Sequence, residues 1–189
     1  MEKYELIDNP AVKLALTAVN MSLYAVVGLL TYFGIVVGGI KFWPAVIVPA
    51  SFSVLFGPYI GGIGAAGGIF IADILTHGDA LLSLSVGVTS NFTAFFILGH
   101  LNNRKYSIRR YLLTATLSLL IGSAIIGAGL FLWTQFFTLP GQAFEPWTWL
   151  AALTYFGWTF ISEIPFLLIV VPPIVKAVKQ ALPGSSVIQ

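Results

Sequence analysis

Apolar residues run along this chain in long stretches broken only briefly by polar or turn-forming residues, at about 11–36, 43–56, 58–77, 80–101, 111–137 and 147–175. Five of the six reach the roughly 20 residues that cross about 30 Å of hydrocarbon at 1.5 Å per residue. The second is short and carries Pro44 and Pro49, so its path is expected to be tilted, irregular or only partly inserted. The pattern predicts an all-α membrane domain of six transmembrane helices, one unit over 1–189.

Within the runs the period is helical. In FGPYIGGIGAAGGIFIADILTHGD, Gly57, Gly61, Gly64, Gly68 and Ala72 advance by 4, 3, 4 and 4, so they share one helix face. A glycine inside a helix costs roughly 1 kcal/mol relative to alanine in water. In a bilayer no hydrophobic drive pushes helices together, and small residues supply the packing instead by letting backbones approach. The stripe is therefore read as a packing face, with Gly57-Pro58 as the turn before it and proline at the first helical position. No Gly-Lys-Ser/Thr ending follows, so a phosphate loop is excluded. The first run repeats the pattern: Ala11, Ala15, Ala18, Ser22 and Ala25 advance by 4, 3, 4 and 3 on one face. Another helix can lie flat on that face, and periodicity leaves open whether it belongs to this chain. Asn9-Pro10 is a suitable helix start.

Composition agrees with a membrane solvent, since only 8% of the 189 residues are charged and 58% are apolar. A soluble domain carries about a quarter charged residues. Of nine Lys and Arg, eight lie in the N-terminal stretch (Lys3, Lys13), in NNRKYSIRR (Arg104, Lys105, Arg109, Arg110) or near the C-terminus (Lys176, Lys179). The positive-inside rule places all three on the cytoplasmic side, with both termini inside a plasma membrane and an even number of spans between the basic regions. The polar start Met1 to Pro10 does not resemble a cleavable signal. Cysteine is absent, which excludes disulfides and thiolate metal sites. Nothing in the charge pattern points to nucleic acid.

Polar residues inside apolar spans point to function or to interhelical bonding. In WTWLAALTYFGWTFISEIPF, Tyr155, Thr159, Ser162 and Glu163 form a polar face flanked by Trp158. Glu163 lies near mid-span, with no base at that depth. It is expected either to carry a proton or to accept hydrogen bonds from a neighbour or a ligand. Ser83, Gly87, Ser90 and Asn91 make a complementary face on the fourth run, where Asn91 bonds either a ligand or another helix. Asp73 and His77, four apart, reach either each other or a shared ligand. Two side chains are too few for a metal site, and no metal or cofactor is expected. Lys41 and Trp43, in the first outer loop, are candidates for a lid, and Trp133, Trp147, Tyr155 and Trp158 for stacking on a flat ring. The tryptophans near helix ends also fit an interfacial aromatic belt. His100, beside basic residues, fits an interfacial role. No Gly-x-Ser-x-Gly or His-Glu-x-x-His occurs, so an enzyme is not expected.

Size, six spans, inside termini, an alanine-rich first helix and Phe56-Gly57-Pro58-Tyr59-Ile60-Gly61-Gly62 opening a small-residue third helix together resemble the S components of energy-coupling-factor (ECF) transporters. The resemblance implies a substrate-binding subunit that captures a vitamin or related micronutrient from outside. A coupling membrane subunit and two ATPase subunits would drive its release inward, consistent with the lack of any Walker motif. It also implies docking of the coupling subunit on an Ala-x-x-x-Ala face, which Ala11-Val12-Lys13-Leu14-Ala15 matches, with Ala18 to Ser22 as the alternative frame. Nickel and cobalt members begin Met-His, where this chain has Met1-Glu2. Asp73, Asp79, Glu145 and Glu163 outnumber the one base Lys41 in the outer half. A cationic or neutral heteroaromatic such as thiamine or its pyrimidine precursor is favoured, then riboflavin or a deazaguanine base. The alternative reading is an autonomous secondary transporter using Glu163 and Asp73 as a proton or cation path.

Overall fold

The computed structural model describes residues 9–31, 33–37, 40–102 and 106–181; Lys3, Arg104 and Lys105, used above for orientation, lie outside them. Helix α1 (Pro10–Thr31) starts where the Asn9 side chain accepts the Ala11 N–H at 2.9 Å, with Pro10 at the position whose amide needs no partner. It stops at Thr31, short of the expected 36, because Phe33 and Gly34 both take positive φ (52° and 72°) and turn the chain. The chain then forms a small antiparallel ladder of β1 (Val36–Val37) and β2 (Ile40–Lys41). Pro44–Val46 makes one 3-10 turn into α2 (Ile47–Phe56), and the apolar stretch Pro44–Phe56 is shorter than a membrane crossing.

Gly57, at φ 98°, makes the reversal that no other residue makes cheaply, and Pro58 opens α3 (Pro58–Thr76). Helix α4 (Ala80–Asn102) is capped by Asp79, whose carboxylate accepts the Leu82 N–H at 2.9 Å. Helix α5 (Ile108–Thr134) and helix α6 (Trp149–Ala181) follow, the latter capped by Thr148. Five helices, α1 and α3 to α6, are long and apolar enough to cross a membrane. This is the architecture of an all-α, multi-pass membrane protein.

Two stretches widen into π-helix, Ser83–Val88 in α4 and Phe166–Val170 in α6. The second has a physical cause in Pro172 and Pro173, whose rings press on carbonyls four residues upstream, at Leu168 and Ile169, both inside the widened turn. The ladder thinned by those prolines gains an outside donor, since the buried Tyr111 hydroxyl donates to the Leu167 carbonyl at 2.8 Å. Helix α6 thereby runs on through its prolines to Ala181, past the expected 175.

Packing follows the small residues. A Cβ placed on Gly64 would meet the Asn20 side chain, and one on Gly68 would come within 2.8 Å of both the Met21 carbonyl and Tyr24 Cβ, so α3 lies directly on α1. Gly61 faces Ser53 of α2 in the same way, and Asn20 Nδ2 donates to the Ile60 carbonyl at 2.9 Å. Gly99 meets Pro58, Gly122 meets Ala94, and Gly127 meets Ala152 and Phe156, which fixes α3, α4, α5 and α6 as alternating neighbours. The small residues of α1 behave differently. Ala11, Ala15, Ala18 and Ser22 are exposed, and only Ala25 at the end of the series is buried.

These directions give the bundle two ends. Lys13, Arg109, Arg110, Lys176 and Lys179 gather at one, the basic end. The β hairpin, the loop between α3 and α4, and the 135–148 loop gather at the other, the hairpin end.

Candidate functional site

A cavity of about 210 Å³ opens at the hairpin end and runs inward between α1, α3, α4, α5 and α6. Its walls are mostly apolar: Ile69, Val86, Ala94, Phe95, Leu119 and Ile126 among others. Its depth follows from α6, where Thr159 and Glu163 lie ten and fourteen positions beyond Trp149, about 15 and 21 Å along the axis. The cavity therefore reaches the middle of the bundle.

The mouth is built from four polar groups. Asp73 accepts the Ser83 hydroxyl through Oδ2 at 2.8 Å, bridging α3 to the first turn of the π segment. His77 Nδ1 accepts the Asp79 N–H at 3.1 Å, which leaves its proton on Nε2, and that nitrogen faces Asp73 Oδ1 at 3.6 Å. Gly87, one turn further along α4, admits Asp73 because a Cβ there would stand 2.6 Å from Oδ2. Lys41 reaches in from β2 with its Nζ 5.4 Å from the Trp43 ring centre. Burial pushes its ammonium below the ordinary lysine range, and Asp73 pulls the other way.

Trp43 is set into the bundle by Gly28, where any side chain would collide with the indole. Its ring meets Tyr24 edge-on, with centroids 6.1 Å apart. The Tyr24 hydroxyl donates to Asn91 Oδ1 at 2.6 Å, and Asn91 Nδ2 donates to the Gly87 carbonyl at 3.0 Å. Asn91 thus both ties α4 to α1 and lines the cavity.

The floor has the opposite character. Glu163 is 9% exposed and Thr159 2%, and the carboxyl of Glu163 makes no hydrogen bond or ion pair among the described residues. Thr159 Oγ1 and, across on α5, Ser123 Oγ are buried without a partner there. Each group lines the cavity. An unpaired buried hydroxyl costs about 1–3 kcal/mol, and an unpaired buried carboxyl costs more. Glu163, Thr159 and Ser123 thus turn unpaired polar atoms into a cavity with mostly apolar walls.

The rim is closed by the 135–148 loop. Gln135 donates to the Trp147 carbonyl at 3.1 Å and Trp147 N–H to Thr134 Oγ1 at 3.2 Å, which folds Leu139, Pro140 and Gln142 over the opening. Trp147 lines the cavity with Tyr155 stacked behind it, centroids 4.0 Å apart.

Of the residues expected to meet a ligand, Lys41, Trp43, Asp73, His77, Asn91, Trp147, Thr159 and Glu163 line this one cavity. Trp133, Tyr155 and Trp158 do not. Trp133 packs with Leu82, Val86, Leu130 and Leu139 and donates through Nε1 to the Thr138 carbonyl at 3.2 Å, so it holds the rim from behind. The aromatic wall is instead Tyr24, Trp43, Phe95 and Trp147. Tyr24, Ser123 and Gln142 escaped the sequence reading. Ser123 had a signal, since it is a small polar break three residues before Ile126 and seven before Leu130 on one face of α5. Among the described residues no group of three or more His, Asp or Glu side chains converges as a metal site. Neither a protein-family model nor a curated protein matches this chain.

Proposed function

We propose that this protein is the substrate-binding membrane subunit of an ECF-type importer. It captures a small micronutrient from outside a cell in the cavity at the hairpin end and depends on partner subunits for ATP-driven release. The observation that carries this reading is the cavity itself: a pocket open at one end, sealed below by Glu163, Thr159 and Ser123, in a chain with no ATP-binding motif. Support for a coupling partner comes from α1, where Ala11, Ala15, Ala18 and Ser22 are exposed among the described residues.

In this reading the domain crosses the plasma membrane six times, α2 with the Pro44–Val46 turn being the short crossing, and the basic end with both termini is cytoplasmic. Single cysteines at Arg110 and Glu145, both exposed at opposite ends of α5 and its following loop, test the orientation in a chain that has none of its own. An impermeant thiol reagent added outside intact cells is expected to label the Glu145 position and to spare the Arg110 position. Labelling of the Arg110 position alone reverses the assignment, and labelling of both overturns the topology.

The transport reading is tested by identifying the small molecule that copurifies with the protein, then measuring its uptake into cells with and without ECF ATPase and coupling subunits. Uptake that needs those subunits and their ATPase activity is the expected result. Uptake by this chain alone on a proton gradient would establish the secondary-transport alternative, with Glu163 and Asp73 as its acidic groups.

A further inference from the structure

We infer that the cavity takes a compact, single-ring nitrogen heterocycle with an amidine-like edge, a ring nitrogen beside an exocyclic amine, and that this edge seats on Glu163 at the floor rather than at the mouth. The inference rests on the binding-subunit reading above and narrows its ligand.

The acids at the two ends of the cavity differ in what they lack. Asp73 already has the Ser83 hydroxyl and the His77 imidazole beside it. Glu163 has neither a donor nor a base among the described residues and is more deeply buried. A carboxyl in such a place is satisfied by a partner offering one donor and one acceptor side by side, because that edge pairs with both oxygens wherever the shared proton sits. A simple ammonium supplies donors only. The Thr159 hydroxyl, one helical turn nearer the mouth, and the Ser123 hydroxyl on α5 each have a proton to give and ask for further acceptors, which ring nitrogens provide. A carboxylate ligand would meet Glu163 head-on with no base beside it at that level, Lys41 being held at the mouth over Trp43.

Size and walls limit the rest. About 210 Å³ is less than the roughly 300–1,000 Å³ of pockets that bury drug-sized molecules, which fits one ring and small substituents and disfavours a three-ring flavin. Tyr24, Phe95 and Trp147 give the ring apolar surface. Lys41 already occupies the Trp43 face, so charge recognition passes to Glu163 instead of to an aromatic face.

The test is calorimetry on the full-length protein in detergent with three probes: 4-amino-5-hydroxymethyl-2-methylpyrimidine, benzylamine and pantothenate. The aminopyrimidine is expected to bind saturably and at least tenfold tighter than benzylamine, which has the donor without the acceptor, and pantothenate is expected not to bind. Glu163→Gln, which keeps an oxygen and an N–H but loses the carboxyl, should weaken the aminopyrimidine about tenfold. Glu163→Leu, which keeps neither, should weaken it a hundredfold or more, with melting temperatures of the free variants showing that they remain folded. Pantothenate binding that ignores both substitutions overturns this inference and leaves the import reading standing. Equal and small effects of Gln and Leu on the aminopyrimidine overturn it too, by removing Glu163 from the site. No saturable binding by any probe also overturns it, and the ATPase-dependent uptake measurement then decides separately whether the import reading survives.

Discussion

Gly68→Val is expected to lower the melting temperature of the detergent-solubilised protein by more than any substitution at the cavity. The first atom of a side chain at Gly68 would stand 2.8 Å from the Met21 carbonyl and 2.8 Å from Tyr24 Cβ. The carbonyl is backbone of a buried helix contact, so it can move only if α1 moves with it. Overpacking of this kind costs typically 1–3 kcal/mol when neighbours can give, and more when they cannot. Gly64 repeats the situation against Asn20, whose Nδ2 is already committed to the Ile60 carbonyl. Displacing α1 would also pull Tyr24 away from Asn91 and open the wall of the cavity, so ligand affinity should fall together with stability. Gly157 is the control. Nothing lies within 4 Å of a Cβ there and its φ is unremarkable, so Gly157→Ala should be neutral or raise stability by up to about 1 kcal/mol through helix propensity. Equal melting temperatures for Gly68→Val and Gly157→Ala would mean that α1 and α3 do not touch as described.

How far the sequence discloses this arrangement depends on the kind of signal. Periods of three and four residues carried the helices and the faces they share, because side-chain direction on a helix follows from spacing alone. The start of α1 at Asn9-Pro10 and the turn at Gly57-Pro58 were legible for the same local reason. The end of α1 was not, because the positive φ at Phe33 sits on a residue type that rarely adopts it. Glu163, Thr159, Asp73 and Asn91 stood out because polarity inside an apolar run is conspicuous. Tyr24 did not, since one tyrosine among apolar residues reads as packing until a second helix brings Asn91 to its hydroxyl. Trp133 and Trp158 show the converse. Their residue type suggested a stacking surface, but which way an indole faces depends on the neighbouring helices, and for Trp133 those neighbours form a separate apolar cluster behind the rim. Periodicity could not say whether the α1 stripe pairs within the chain; among the described residues Ala11, Ala15, Ala18 and Ser22 stay exposed and only Ala25 is buried.

Ala11→Trp combined with Ala15→Trp is expected to abolish ATP-driven uptake while leaving ligand affinity within about twofold of the unmodified protein. A lipid-facing surface needs only apolar bulk, and α1 supplies it on either side with Leu14, Val19, Leu23 and Val26, all exposed. Alanine and serine at four turns in register add little to contact with lipid tails, yet they are what close helix approach in a bilayer requires. Among the described residues that approach is not made within this chain, because Ala11, Ala15, Ala18 and Ser22 are exposed while α3 packs on the other side of α1 through Asn20, Met21 and Tyr24. Two indoles on this face would hold a partner helix several ångströms away without touching the cavity, whose nearest contribution from α1 is Tyr24, nine positions beyond Ala15 and about 13 Å along the axis. Uptake in cells carrying the coupling and ATPase subunits, measured beside calorimetric binding on the purified variant, separates the two effects. Parallel tryptophans at Ala18 and Ser22 locate the frame: loss of uptake there, with activity kept at Ala11 and Ala15, moves the contact one to two turns deeper. Normal uptake by both pairs would show that nothing docks on α1, and parallel loss of binding would show that the stripe supports the fold of this chain instead.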